Sequence, residues 1–242
     1  GGGLPRNNIY LVQGNPGVGK TTMTLQFLLE GAKSGEKSLY VALTETLREV
    51  HSVARSHGWS LDGLTKWELS ASAQGVREDQ TMFHPAEVEL DETTRPIFEE
   101  VERVNPDRVV IDSLSEIRLL SREPLRYRKQ LLAIKRFFLD RDCTVLLIDT
   151  FGAAGNDSAG VLETLIGGLV LLEKTTPAYG STRRRLVVDK LRGVPFREGY
   201  HDYKSKTGGL VVYPRRVASE HTETSSRESR SIFIQKITKI VS

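Results

Sequence analysis

One stretch limits what this chain can fold into more than any other: Gly14-Asn15-Pro16-Gly17-Val18-Gly19-Lys20-Thr21-Thr22. It satisfies G-x-x-x-x-G-K-[ST] with nothing missing. Residues 9–12 before it form a short apolar run suited to a strand. Residues 22–32 after it contain no proline and place Met23, Phe27 and Leu28 on one helical face. A strand leading through a glycine-rich turn into a helix is the setting in which this pattern holds phosphate. The glycines let backbone N–H groups turn inward, and the helix N-terminus adds a positive field. On that reading Gly14 to Thr22 form the cradle. Lys20 reaches the β- and γ-phosphates, and the Thr21 hydroxyl ligates Mg²⁺.

The rest of the chain alternates in the same way. Residues 39–43 read as a second buried strand. Thr46-Leu47-Arg48-Glu49 is a capping box opening a helix with Leu47, Val50 and Ala54 on one side. His57-Gly58-Trp59 closes that helix. Residues 60–94 read mainly as surface loop, with a short strand at 67–69. A helix is expected over 96–104 and a third strand over 108–112. A longer helix follows over 124–141, with Tyr127, Leu131, Ile134 and Phe138 as its apolar stripe. Residues 144–149 make a fourth strand and 161–166 a short helix. Three further strands, at 168–173, 184–190 and 209–213, are separated by turn residues and predict hairpins. The fold class is therefore α/β: a mostly parallel central sheet flanked by helices, extended by C-terminal antiparallel strands. One domain over residues 1–218 is expected, then a tail or linker over 219–242 that turns apolar again at 232–241.

Several charged residues fall at strand ends. Asp112 closes an apolar strand, the Walker B arrangement, where a carboxylate can hold Mg²⁺ directly or through water. Glu45 follows the second strand, which is expected to neighbour the strand leading into the phosphate loop. There it could orient an attacking water. Glu116 is the competing base. Asp149 could approach the phosphate or simply cap its loop. Lys190 and Arg192, two residues apart, would project to one side of a strand and could serve as an arginine-finger pair toward another subunit. Arg183-Arg184-Arg185 and the series Arg122, Arg126, Arg128, Lys129 and Arg136 read as solvated faces or subunit contacts.

Composition excludes several classes. A net charge of +3 and a pI near 8.9 are too mild to argue for nucleic acid, and few aromatics interleave with the basic residues. Cys143 is the single cysteine, so no intrachain disulfide and no cysteine-based metal site can form. The five histidines show no metal-ligand spacing. No apolar run reaches membrane-spanning length. A cytoplasmic protein is expected, and the start at Gly1 without methionine is that expected of a fragment.

Taken in order, Gly-Gly-Gly-Leu-Pro, GNPGVGKTT, LYVALTET, RVVIDSLSE, LLAIKRFF, TVLLID, RRRLVVDKLRGVPFREGYHDY and GGLVVYP strongly resemble the ATPase domain of KaiC-like proteins, a RecA/RadA-related branch of P-loop NTPases. The resemblance covers about residues 1–216. It implies a RecA-like fold, ATP and Mg²⁺ as ligands, and a homo-oligomeric ring, usually a hexamer, with ATP between subunits and regulatory protein partners. It implies phosphate and Mg²⁺ binding by Lys20 and Thr21, catalysis by Glu45 and the Walker B role for Asp112. Lys190 and Arg192 would then reach a neighbour's γ-phosphate. Clock KaiC carries two adjacent glutamates where this chain has Thr44-Glu45, and two tandem domains where this chain has one. Two other activities fit the same fold: a RecA-like or helicase-like DNA motor, and a scaffold that binds ATP without turning it over.

Overall fold

The computed structural model describes residues 3–69, 85–121, 123–151, 162 and 164–215, with side chains from residue 94 onward in the second of these stretches. Nine strands form one sheet: β1 (Ile9–Gly14), β2 (Ser38–Ala42), β3 (Thr65–Glu68), β4 (Arg108–Asp112), β5 (Thr144–Asp149), β6 (Gly168–Thr175), β7 (Arg183–Leu191), β8 (His201–Lys206) and β9 (Gly209–Tyr213). Their order across the sheet is β3-β2-β4-β5-β1-β6-β7-β8-β9. From β3 to β6 every neighbouring pair is parallel, and from β6 to β9 every pair is antiparallel. Among the described residues five helices flank the sheet: α1 (Lys20–Lys33), α2 (Leu47–Ser56), α3 (Pro85–Val104), α4 (Leu114–Ser121) and α5 (Pro124–Leu139).

The central strands are apolar at consecutive positions because both faces are covered. Every residue of β1, β2 and β5 is buried. Strand alternation sorts them into two cores. Tyr10, Val12, Tyr40, Val110, Leu146 and Ile148 pack with Leu25 and Leu28 of α1. Ile9, Leu11, Leu39, Val41, Val109 and Ile111 pack on the opposite face with Ile97, Ile117, Leu131 and Phe138 from α3, α4 and α5. The four residues of the α5 stripe are all buried. Cys143 is buried too, and burial pushes its thiol up to about 12, leaving it unreactive at neutral pH.

The capping box forms as expected. The Thr46 side chain accepts from the Glu49 N–H, and the Glu49 carboxylate accepts from the Thr46 N–H. Four expectations need correction. Strand β2 does not neighbour β1, since β4 and β5 lie between them. Helix α3 begins at Pro85 rather than 96, and Pro96 lies inside it. An internal proline costs about 3 kcal/mol, which the burial of Ile97 and Val101 after it offsets. Helix α4 and strand β8 carry weak local signals. In β8 only His201 and Tyr203 are buried, among polar neighbours. The expected helix over 161–166 lies partly, and the expected tail over 219–242 wholly, outside the described residues.

Candidate active site

Strand β1 delivers the chain to Gly14, where a Cβ would sit 2.4 Å from the Leu172 carbonyl and 2.9 Å from Val18. Only glycine fits that approach. The loop then turns into α1 through Gly19, which holds φ 102°, a left-handed conformation. No side chain caps α1. Its first backbone N–H groups are therefore open to an anion at the mouth of the loop. Lys20 folds back, donating from Nζ to the carbonyls of Gly14 (2.7 Å) and Asn15 (3.2 Å).

The acids converge on this mouth from β2 and β4. The Thr21 hydroxyl lies 3.2 Å from Asp112 Oδ2 and 3.4 Å from Glu45 Oε1, and its one proton can serve only one of them at a time. Among the described residues Glu45 Oε2 is buried with no partner. Burial, together with the charge of Asp112, pushes the Glu45 carboxyl up to about 6. Burial also raises Asp112, against hydrogen bonds from Tyr40 and Thr21 and the charge of Lys20. Burial lowers Lys20, while Asp112, Asp149 and Glu45 pull it back up.

These groups line a cleft of about 460 Å³, bounded by the residues from Pro16 to Thr22 and by Glu45, Asp112, Ser113, Arg184 and Ser205. The donor set suits a nucleoside polyphosphate with a hard divalent cation. Backbone N–H groups and one ammonium face the phosphate side. A hydroxyl and two carboxylates, one with an unpartnered oxygen, supply oxygen ligands of the kind Mg²⁺ takes. Among the described residues no group of three His, Cys, Asp or Glu forms a conventional metal cluster.

The structure thus brings Gly14, Asn15, Pro16, Gly17, Val18, Gly19, Lys20, Thr21, Thr22, Glu45 and Asp112 to one place, or to its rim. Glu45 arrives there although β2 is not next to β1, because α1 crosses over β4 and β2 and carries Thr21 to meet it. Other residues stand elsewhere. Glu116 occupies the first turn of α4 and does not line the cleft. Asp149 is fully buried in a pair with Arg118, whose guanidinium also lies 5.0 Å from the Tyr127 ring centre. Lys190 pairs with Leu169, which lies beside Leu11. That is three residues short of Gly14 along the sheet, or about 10 Å. Arg192 lies just past the end of β7 and donates to the Thr164 carbonyl at 3.0 Å. A bulge between Leu169 and Val170 also shifts the alternation of β7. Neither cation lines the cleft of its own chain.

The run Arg183-Arg184-Arg185, expected as a solvated face or subunit contact, divides in the structure. Arg183 pairs with Asp202 and Arg185 with Glu173, whereas Arg184, on the other face of β7, lines the cleft. The strand period carried the signal, since Arg184 shares a face with the buried Leu186 and Val188. Three hydrogen bonds tie the β8–β9 hairpin to this site. Tyr203 donates to the Val18 carbonyl at 2.6 Å. Gln26 accepts from the Leu210 N–H at 2.9 Å and donates to the Leu210 carbonyl at 3.4 Å. None of the described helices is long and apolar enough to cross a membrane.

The chain is also similar to known proteins. The family model described as "ATPase: KaiC" matches residues 1–217. The UPF0273 protein PH0284 of Pyrococcus horikoshii is 28% identical over 225 residues, covering 89% of this chain and 90% of the relative. A UPF0273 protein of Thermotoga maritima is 28% identical over 221 residues, covering 88% and 90%. Among solved structures, the KaiC-like protein PH0186 of Pyrococcus horikoshii superposes with a TM-score of 0.71 at 24% identity, covering 88% of this chain and 92% of that one. This last similarity speaks to the fold.

Proposed function

We propose that this chain, which belongs to the KaiC ATPase family, binds ATP with Mg²⁺ in the cleft at the mouth of α1 and hydrolyses it at an interface between subunits of a ring. One observation carries the reading. Lys20 and Thr21 of α1, Glu45 of the loop after β2 and Asp112 of β4 meet at the uncapped start of α1, and among the described residues one buried oxygen of Glu45 has no partner.

The residues divide the work. Loop N–H groups and the α1 terminus bind the phosphates, and Lys20 exchanges its bonds to the Gly14 and Asn15 carbonyls for phosphate oxygens. Thr21 and Asp112 would hold Mg²⁺, which would neutralise phosphate charge. Glu45 orients the attacking water and takes its proton at Oε2. A carboxyl pushed up to about 6 is still ionised at neutral pH, yet it is a stronger base than an ordinary glutamate. Arg184 supplies positive charge from the same chain. Lys190 and Arg192 stand too far along the sheet to serve their own cleft, and they supply it to a neighbour. The ring's role is regulatory, acting through protein partners.

Titrating Mg·ATP into wild-type protein and Lys20→Ala by calorimetry tests the binding step. Wild type should bind, and the variant should show no measurable heat. Equal affinity would overturn the reading.

A further inference from the structure

The groups that hold Asp112 in place point to a residue behind the metal site. Strands β2 and β4 pair with Tyr40 opposite Val110 and Ala42 opposite Asp112. Tyr40 and Asp112 are therefore diagonal neighbours on one face of the sheet, within reach of an aromatic side chain. The reach is made: Tyr40 Oη donates to Asp112 Oδ2 at 2.6 Å. Tyr40 is fully buried in the core beneath α1 and does not line the cleft.

Two donors converge on Oδ2, Tyr40 and Thr21. Thr21 faces the cleft and is itself a candidate ligand. Of the two donors, only Tyr40 is bound on the core side. Among the described residues no hydrogen bond goes to Oδ1, and Asp112 borders the cleft. The phenol thus clamps one oxygen from behind and leaves the other to the site. A ligating carboxylate is held in useful geometry by such outer partners, and their loss typically costs 10- to 100-fold in metal affinity.

We propose that Tyr40 is the positioning residue of the metal site, setting the orientation of Asp112 and through it the affinity for the divalent cation. This rests on the Mg·ATP reading above. Tyr40 touches neither nucleotide nor cation, so its removal should separate metal binding from nucleotide binding. The ring fills the core and the hydroxyl does the positioning, so Tyr40→Phe keeps the packing.

The test is a fluorescence titration of a labelled ATP analogue, done in EDTA and then across Mg²⁺ concentrations. It compares wild type, Tyr40→Phe and Tyr10→Phe. Tyr10 is the control, because it is equally buried but donates to the Pro5 carbonyl at 2.7 Å, away from Asp112. Loss of its hydroxyl reports what general loosening does. For Tyr40→Phe the Mg²⁺ concentration at half effect should rise about tenfold or more. Affinity in EDTA should stay at the wild-type value, and Tyr10→Phe should leave both unchanged. A Mg²⁺ midpoint for Tyr40→Phe within twofold of wild type would overturn the proposal. So would a Tyr40→Phe affinity in EDTA that falls by the same factor, or a Tyr10→Phe midpoint that shifts as far. If wild type itself ignores Mg²⁺, the metal reading fails and this proposal fails with it. That result is distinct from a normal wild type with an unaffected variant.

Discussion

Gln26 closes the open edge of the sheet. Among the described residues strand β9 pairs with β8 alone. The outward N–H and C=O of Leu210 are met by the Gln26 amide instead. Both residues are buried, so neither backbone group has water to fall back on. Replacing Gln26 with glutamate keeps the shape and the acceptor but exchanges the donor for a second oxygen. The new carboxyl can restore the pair only by keeping its proton. Above the ordinary glutamate value of about 4.3, holding that proton costs about 1.4 kcal/mol per pH unit. The cost relative to wild type is then about 1 kcal/mol at pH 5 and about 4 kcal/mol at pH 7, a large share of the 5–15 kcal/mol typical of a folded domain. The sign follows from a folded-state value raised above the unfolded one, so stability is present at low pH and is lost as pH rises. Urea unfolding of wild type and Gln26→Glu at three pH values measures it. Trp59, which packs beside Gly209 at the start of β9, serves as the fluorescent reporter. A stability difference that does not change between pH 5 and pH 7 would refute the clamp.

Two further expectations concern the cleft. Glu45 sits near 6 rather than at its ordinary value, so it must lose its proton to act as base. Hydrolysis should fall as pH drops through about 6. In nucleotide-free protein the same raised value makes Glu45→Gln more stable than wild type above that range, with the advantage vanishing below the unfolded glutamate value of about 4.3. Melting temperatures across pH check the second part, and an acid limb unchanged in position by any substitution near Glu45 would count against the first. Lys190→Ala/Arg192→Ala and Lys20→Ala should each be inactive alone. Mixed, they should recover a fraction of the wild-type rate, because one supplies the loop and the other the pair of cations. Phosphate release from the mixture measures this, and no recovery after proven subunit exchange would contradict completion in trans.

Local chemistry made much of this molecule legible in its sequence. The loop from Gly14 to Thr22 announces itself because phosphate binding needs glycines at fixed places, and the buried strands β4 and β5 read as unbroken apolar runs. What stayed hidden depends on pairing between distant segments. Nothing local states that β4 and β5 intervene between β1 and β2, since strand order is set by how the crossovers pack. The clamp from Tyr40 to Asp112 needs the register of two strands 72 residues apart. Strand β8 escapes notice because one of its faces is solvated and its buried residues number two. Arg184 was within reach of period-two reasoning, but a run of three arginines reads as one basic edge until a strand divides it.

The central claim is a cleft that hydrolyses ATP with Glu45 as its base. The most direct measurement is phosphate release from Mg·ATP by wild type and Glu45→Gln, each first shown to bind the nucleotide. The account predicts turnover by wild type and intact binding without turnover by the variant. Equal turnover by the two proteins would contradict it.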